Sequence, residues 1–344
     1  MKRKIHQNIS SGDSGGNSGE NSGGNSRENY TLAVVSRIIS SNAIAFVLIG
    51  IVIICFIAIP NFRSATNAIN ILRQVSALTI IALGQYFVIL SGGIDLSAGT
   101  TISLIGCLVA GLMYFSDWPL VAALVFAICM GIVIGSINGA LVVYGDIQPF
   151  IATLATMIAI KGIAFLYSGG FPISGLPEAF GFFGRGYVGK IPVPILIMVA
   201  IAIICYFFSE HSITGRNIFA IGGNEDAARV CGIRTKRVKL FVYVIASFLT
   251  SIGAIVISSR IMSGQPTVGD NMLFDIITAV VLGGTSLSGG EGKVFGVIAG
   301  ALILGVIANA MVLLRINPYW QWIIRGIILV IAVYIDSRTK KRIK

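Results

Sequence analysis

SEHSITGRNIFAIGGNEDAARVCGIRTKRVKL, residues 209–240, is the one long polar and charged break in an otherwise apolar chain. It carries Arg216, Arg229, Arg234, Lys236, Arg237 and Lys239 against Glu210, Glu225 and Asp226. Apolar runs lie before and after it. A soluble segment with this excess of positive charge, set between membrane spans, is placed in the cytoplasm by the positive-inside rule. Its middle reads as a short helix. Asn224 can cap it, Glu225 and Asp226 sit at the positive end of its dipole, and Gly232 ends it. A membrane protein that holds such a helix on its cytoplasmic face is set up to touch a soluble partner there.

Hydrophobic residues make up 55% of the 344 residues and charged residues only 11%. Soluble domains carry about 25% charged residues, so the class is a polytopic membrane protein. The formal charge of +11 does not point to nucleic acid, because the basic residues form no single stripe. They gather at MKRK, in the 209–240 segment and at SRTKKRIK, as orientation signals do. The five cysteines, Cys55, Cys107, Cys129, Cys205 and Cys231, show no metal-ligand spacing and read as free thiols. His6 and His211 stand alone, so no histidine metal site is expected.

Residues 8–28, NISSGDSGGNSGENSGGNSRE, are Gly/Ser/Asn low complexity and cannot bury a core. The expectation is a disordered cytoplasmic tail over 1–40, dispensable for transport. No apolar stretch follows MKRK directly, so no cleavable signal peptide is expected there. A transmembrane domain is read over 41–337 and a basic cytoplasmic tail over 338–344. Within the domain, apolar runs lie near 43–59, 75–91, 98–115, 119–143, 149–167, 193–208, 239–258, 273–289, 294–314 and 320–335. That makes about ten transmembrane helices in an all-α fold, each about long enough for a ~30 Å hydrocarbon layer. An even count puts both termini on one side, and the basic tails and loop place that side in the cytoplasm. Residues 168–192 are too rich in Gly and Pro to span and read as an external loop. Trp118, Tyr187 and Trp320 fall near span ends, as interfacial aromatics do.

Two glycine-rich breaks interrupt the spans: SGGIDLSAGT at 91–100 and GGTSLSGGEG at 283–292. Aligning them pairs Gly92-Gly93 with Gly283-Gly284 and Leu96-Ser97 with Leu287-Ser288. A second echo pairs Asn138 with Asn309 and Pro149 with Pro318. These echoes suggest two related halves, with their relative orientation open. One reading of the breaks is discontinuous helices, with Asp95 or Ser97 capping the next helix and freed carbonyls lining a polar path. The other is close helix packing through small residues, with Asp95 a simple cap. An unpaired acid at bilayer depth costs ~2.5–3.5 kcal/mol, which favours a use for Asp95. Lys161, inside the fifth span, either snorkels to the outer surface or belongs to the path.

LSGGE at 287–291 imitates the signature loop of an ATP-binding-cassette ATPase. It lies between two spans, and no Walker A loop exists: Leu287 stands where Gly would be needed before Gly292-Lys293, and Val294 where Ser or Thr would be. GRGYVG at 184–189 matches GxGxxG without a preceding strand. No catalytic constellation is readable, so the chain is not expected to be an enzyme.

GIDLSAG, QPFIATLATM, GRNIFAIGGNEDAARVCGI, AVVLGGTSLSGG and NPYWQWIIRG, in this order, resemble the membrane permeases of bacterial ATP-binding-cassette importers for monosaccharides, of the ribose and galactose/methyl-galactoside type. The resemblance runs over about residues 40–337. It implies a permease of the bacterial inner membrane, paired with a second copy, docked to an extracytoplasmic sugar-binding protein and to ATPase subunits inside. ATP and Mg²⁺ would sit on that ATPase, and no cofactor is expected on this chain. The family's coupling motif, acid-Ala-Ala-x-x-x-Gly, stands here as Asp226-Ala227-Ala228-Arg229-Val230-Cys231-Gly232. The coupling set is read as Gly215, Gly223, Asn224, Glu225, Asp226, Ala227, Ala228, Arg229 and Gly232. One departure is Leu273, where the resemblance expects Glu before Asp275. The path is read as Gly92, Gly93, Asp95, Ser97, Asn138, Phe150, Thr153, Asp275, Gly283, Gly284, Ser288 and Asn309.

The reading is therefore a sugar importer permease that supplies the path through the lipid by alternating access. Its partners are an ATPase, a binding protein, a second permease copy, the sugar and membrane lipid, with no nucleic acid. The alternatives are a permease for amino acids or another small nutrient, an ion-coupled secondary transporter, and a structural membrane subunit. The ion-coupled case would need intramembrane carboxylates, of which Asp95 and Asp275 are the candidates.

Overall fold

The computed structural model describes residues 43–341. The expected N-terminal tail and residues 342–344 lie outside the described residues. The ten expected spans correspond to α1 (Ala43–Ala58), α2 (Ala65–Leu90), α3 (Ala98–Phe115), α4 (Leu120–Val143), α5 (Pro149–Ser168), α7 (Val193–His211), α10 (Thr235–Ile261), α11 (Met272–Leu282), α12 (Val294–Leu313) and α13 (Pro318–Lys341). Three short helices, α6 (Phe182–Arg185), α8 (Ile213–Gly223) and α9 (Glu225–Val230), lie in the connections. Seven of the described helices are long and apolar enough to cross a membrane. The apolar parts of α1, α11 and α13 are shorter.

Two helices begin earlier than hydropathy suggested. The first turns of α2 carry Asn67, Asn70, Arg73 and Gln74, and those of α10 carry Lys236, Arg237 and Lys239, which hides them from an apolar window. Asn67 is buried and exchanges two amide hydrogen bonds with Asn309 of α12, at 3.0 and 2.8 Å. The eighth expected span, 273–289, needs correction. Its helix, α11, has only 11 residues and stops at Gly283, because Gly284 turns left-handed at φ +81°.

α2 and α10 form the centre of the described bundle. α2 packs on α7, α10, α11 and α12, and α10 packs on α2, α3 and most extensively on α4. The outward helices α4, α5 and α7 leave most of their apolar side chains partly or fully exposed, as lipid-facing helices must. The α4–α10 contact has a simple cause. Gly131, Gly135 and Gly139 recur every fourth residue along one face of α4. A Cβ on Gly135 would come 2.9 Å from both Ser247 Cβ and Val244 Cα, and one on Gly139 2.7 Å from Leu240 Cδ1. Small residues at this spacing let two backbones approach, and dispersion then acts over the whole seam.

The 168–192 segment contains no spanning helix. Its β1 (Ile173–Ser174) pairs antiparallel with β4 (Ser263–Gly264), and β2 (Tyr187–Val188) pairs with β3 (Ile191–Pro192). Lys161 is paired rather than free. Its ammonium meets Asp270 at 2.8 Å, tying α5 to the 262–271 connection. Trp118, Tyr187 and Trp320 are all exposed, and the five cysteines are free thiols.

Gly135→Leu tests the seam. Overpacking costs about 1–3 kcal/mol, so the unfolding midpoint in detergent should fall clearly. Gly162→Leu, on an open face of α5 where no atom lies within 4 Å, should leave the midpoint nearly unchanged.

Candidate functional site

The polar segment is more ordered than a single capped helix. Ser212 caps α8: its hydroxyl oxygen accepts from Gly215 N at 2.8 Å and its proton goes to Phe208 O at 2.6 Å. α8 ends at Gly222-Gly223, and Asn224 then caps α9 through Oδ1, which accepts from Ala227 N at 2.9 Å. Gly232, at φ +85°, closes α9. Its amide donates to Arg229 O at 3.0 Å and that of Ile233 to Ala228 O at 3.1 Å. This is the paired closure of a Schellman motif, which needs a left-handed residue.

α9 buries one face and offers the other. Ala228 is buried, whereas Asp226, Ala227, Arg229 and Val230 are exposed. Val230 is 89% exposed on a helix of only six residues, so an apolar side chain stands on open surface. Glu225 holds the helix down. It pairs with Lys239 at the start of α10 and with Arg229 at 3.4 Å. Burial alone would raise the Glu225 carboxyl. Hydrogen bonds from Lys239 and Thr235, with the charges of Lys239 and Arg229, hold it below its usual value.

Behind α9 lies a junction made of glycines. Any Cβ on Gly222 would collide with Leu90 O and Gly290 N. A Cβ on Gly289 would stand 2.9 Å from both Gly222 O and Gly92 N, and one on Gly290 2.7 Å from Gly223 N. Gly290 N donates to Leu90 O at 2.9 Å. The end of α8, the end of α2 and the second break therefore touch backbone to backbone. Tyr86 of α2 adds a side-chain tie, 3.1 Å from Ser209 Oγ at the end of α7.

The two breaks are built alike, one residue out of the register that the sequence echo suggests. α2 closes with Gly92 N to Ile89 O and Gly93 N to Val88 O, at 2.9 and 3.0 Å. α11 closes with Gly284 N to Val281 O and Thr285 N to Val280 O, at 2.9 and 3.2 Å. The left-handed residues are Gly92 and Gly284, so Gly92 corresponds to Gly284 rather than to Gly283. Gly283 instead lies against the backbone of Gly296.

The expected path residues fall into separate groups. Asp95, Ser97, Asn138 and Thr153 meet in one buried network. Asp95 Oδ1 accepts from Ser97 N at 2.8 Å and Ser97 Oγ at 2.6 Å. Asn138 Nδ2 donates to Ser97 Oγ at 2.7 Å, and Thr156 Oγ1 to Asn138 Oδ1 at 2.6 Å. Thr153 Oγ1 accepts from Leu96 N and donates among the carbonyls of Ile94 and Pro149. Ser97 occupies the cap position of α3 but makes no cap bond with its side chain; its hydroxyl proton is given to Asp95. Gly92, Gly93, Gly283, Gly284 and Ser288 lie at the breaks, and a Cβ on Gly93 would meet Tyr243 Oη at 2.7 Å. Phe150 is exposed at the start of α5. Asn309 is occupied with Asn67, and Asp275 pairs with Arg325 of α13 at 2.9 Å. Leu273, where Glu was expected, is buried against Gly99, a setting a carboxylate would fit poorly.

Several of these parts escape a linear reading. α8 had a signal in Ser212 followed by Ile213, Ile218 and Ile221. Gly289 and Gly290 had only their place in the second break, and Gly222, Leu90 and Arg325 had none, since each matters through a neighbour far away in the chain.

A family profile described as "Branched-chain amino acid transport system / permease component" matches residues 67–333. The ribose import permease protein RbsC of Bacillus subtilis is 44% identical over 290 residues, covering 84% of this chain and 90% of its own length. The galactose/methyl galactoside import permease protein MglC of Haemophilus influenzae is 37% identical over 318 residues, covering 87% and 95%. The xylose transport system permease protein XylH of Escherichia coli is 32% identical over 342 residues, covering 82% and 87%. No solved structure matches the chain.

The depressed Glu225 carboxyl has a testable pH dependence. Its folded pKa lies below an unfolded value of about 4.3, so its stabilisation is present above that pH and is lost as pH falls through the folded pKa. Hydrogen-exchange protection of the α9 amides should weaken over that acid range in the wild type. Glu225→Gln should weaken protection at neutral pH and remove this part of the acid dependence. A mutant with wild-type protection at both pH values would show that the carboxylate does not hold α9.

Proposed function

The chain belongs to this family of transport-system permease components, and from that premise we propose that it is the membrane subunit of an ATP-binding-cassette importer for a monosaccharide. The observation that carries the mechanism is the adjacency of α9 to the glycine junction. α9 presents Asp226, Ala227, Arg229 and Val230 outward, and the two glycines just before it rest on both breaks. A partner that moves α9 therefore displaces Leu90–Gly92 and Gly289–Gly290 together, with no flexible side chain between to absorb the shift.

In this reading an extracytoplasmic binding protein delivers the sugar, and ATPase subunits on the cytoplasmic side receive α9 in a groove. ATP-driven closure of those subunits moves α9, and the junction passes the motion to α2, α8 and the second break. Gly215, Gly223 and Asn224 through Gly232 are the coupling set. The chain supplies the path and no covalent chemistry, and ATP and Mg²⁺ belong to the partner. The protein is a multi-pass protein of the inner membrane. We place both termini in the cytoplasm, a second copy beside it as a homodimer, and lipid against α4, α5 and α7.

The family description mentions branched-chain amino acids, whereas the relatives above are named for ribose, galactose and xylose. At 44% identity over most of the chain, the sugar is favoured. An ion-coupled mechanism is disfavoured by the two carboxylates it would need. The charge of Asp275 is already balanced by Arg325, and Asp95 gives one oxygen to Ser97.

The assembled transporter, with its ATPase and binding protein in proteoliposomes, provides the test. Gly232→Pro or Asp226→Lys should reduce ATPase co-purification while the chain still inserts. Gly222→Val should keep the ATPase bound yet lower sugar uptake by roughly tenfold or more, since a coupling free energy of 1–3 kcal/mol is at stake. Normal uptake in Gly232→Pro and Asp226→Lys would remove α9 from the coupling role. Normal uptake in Gly222→Val would remove the junction.

A further inference from the structure

Between α11 and α13, away from the junction, lies a groove of about 390 Å³ lined by Asn271, Phe274, Asp275, Thr278, Trp322 and Arg325 among others. Ligand pockets commonly fall in the range of about 300–1,000 Å³. The Asp275–Arg325 pair lines this groove and also a second, inner cavity of about 180 Å³ that reaches Arg260 and Gln74. One ion pair thus stands at both an outer groove and an inner chamber.

We infer that this groove is a station for a neutral, polyhydroxylated ring on the transport path, with Asp275 and Arg325 holding its hydroxyls and Trp322 and Phe274 covering its apolar face. The inference rests on the importer reading. Trp322 and Phe274 are 53% and 57% exposed, so two aromatic rings stand free at the groove. A sugar ring has a C–H face that suits an aromatic surface and an edge of hydroxyls that suits charged partners. The carboxylate can accept from one hydroxyl while the guanidinium donates to the next. Their own bond, Arg325 Nη1 to Asp275 Oδ2 at 2.9 Å, uses one oxygen and one nitrogen and leaves further donors and lone pairs on both groups.

The same geometry argues against a zwitterion. An amino acid's ammonium and carboxylate would compete with the existing pair for Asp275 and Arg325. A neutral diol bridges the pair without parting it. The pair also braces α11 against α13.

The test uses the complete transporter in proteoliposomes, with D-ribose, D-galactose, D-xylose and, for comparison, L-leucine as probes. The readout is solute moved per ATP hydrolysed, at matched assembly. Trp322→Ala should lower this ratio for the transported sugar by roughly tenfold, and Trp322→Phe should restore most of it. Exchanging the charges, Asp275→Arg with Arg325→Asp, keeps the brace but reverses the polarity towards the ring. Assembly should survive that exchange while sugar per ATP stays low. A wild-type ratio in Trp322→Ala, or uptake restored by the charge exchange, would overturn the station and leave the importer intact. A wild type that moves leucine, or none of the three sugars, would overturn the importer reading and the station with it.

Discussion

A helix that stops beside a hydrocarbon layer must still satisfy its last carbonyls, because no water is at hand to do it. The ends of α2 and α11 meet this constraint in the same way, with a left-handed glycine and two returning amide bonds, and α9 in the polar segment closes by the same motif. A left-handed turn is costly for residues with a Cβ and free for glycine. The missing Cβ atoms of Gly222, Gly289 and Gly290 let Leu90 at the end of α2 and the second break lie directly against Gly222 and Gly223. One chemical economy thus ends the helices and joins them. Any larger side chain at Gly222 would force apart three chain segments at once.

One cluster of polar side chains in the bundle meets the same constraint by a different route. Asp95, Ser97, Asn138, Thr153 and Thr156 satisfy one another across the first break, α4 and α5. Ser247 and Ser251 lie on the face of α10 that receives the α4 glycines, where small side chains keep the backbones close. A network with matched donors and acceptors resists deformation, since breaking one bond leaves a buried group unpaired. The region around Asp95 is therefore a firm block. The glycine junction beside it depends on fewer groups and on backbone contact.

Two surfaces of the described residues differ in their chemistry. The α9 surface alternates acid, small, base and apolar residues, the chemistry of a docking face. The α11–α13 groove combines one acid, one base and two bare aromatic rings, the chemistry of a small-molecule face. The glycine junction connects the first of these to α2 and to the loop that follows α11. α11 itself carries Asp275 at one end and Gly283 at the other, so a shift of the second break is a shift of the groove wall.

Much was legible in the residues alone. Composition placed the chain in a membrane, since 11% charge cannot clothe a soluble surface. Asn224, Glu225, Asp226 and Gly232 marked α9, because caps and dipole partners act within one or two turns. The long apolar helices were legible for the same local reason. Local signals also misled: polar first turns hid the starts of α2 and α10, and an apolar run past Gly283 overstated the length of α11. Only the tertiary structure decided that Gly222 meets Leu90 and Gly290, that Gly92 corresponds to Gly284, and that Asp275 faces Arg325. The contacts among these join residues 50 to 132 positions apart. Sequence records which atoms a residue has, and a glycine at a helix end looks the same whether it faces lipid, water or another backbone. The packing of the helices chooses among these, and with that choice sets which glycines are joints and which acids are braced.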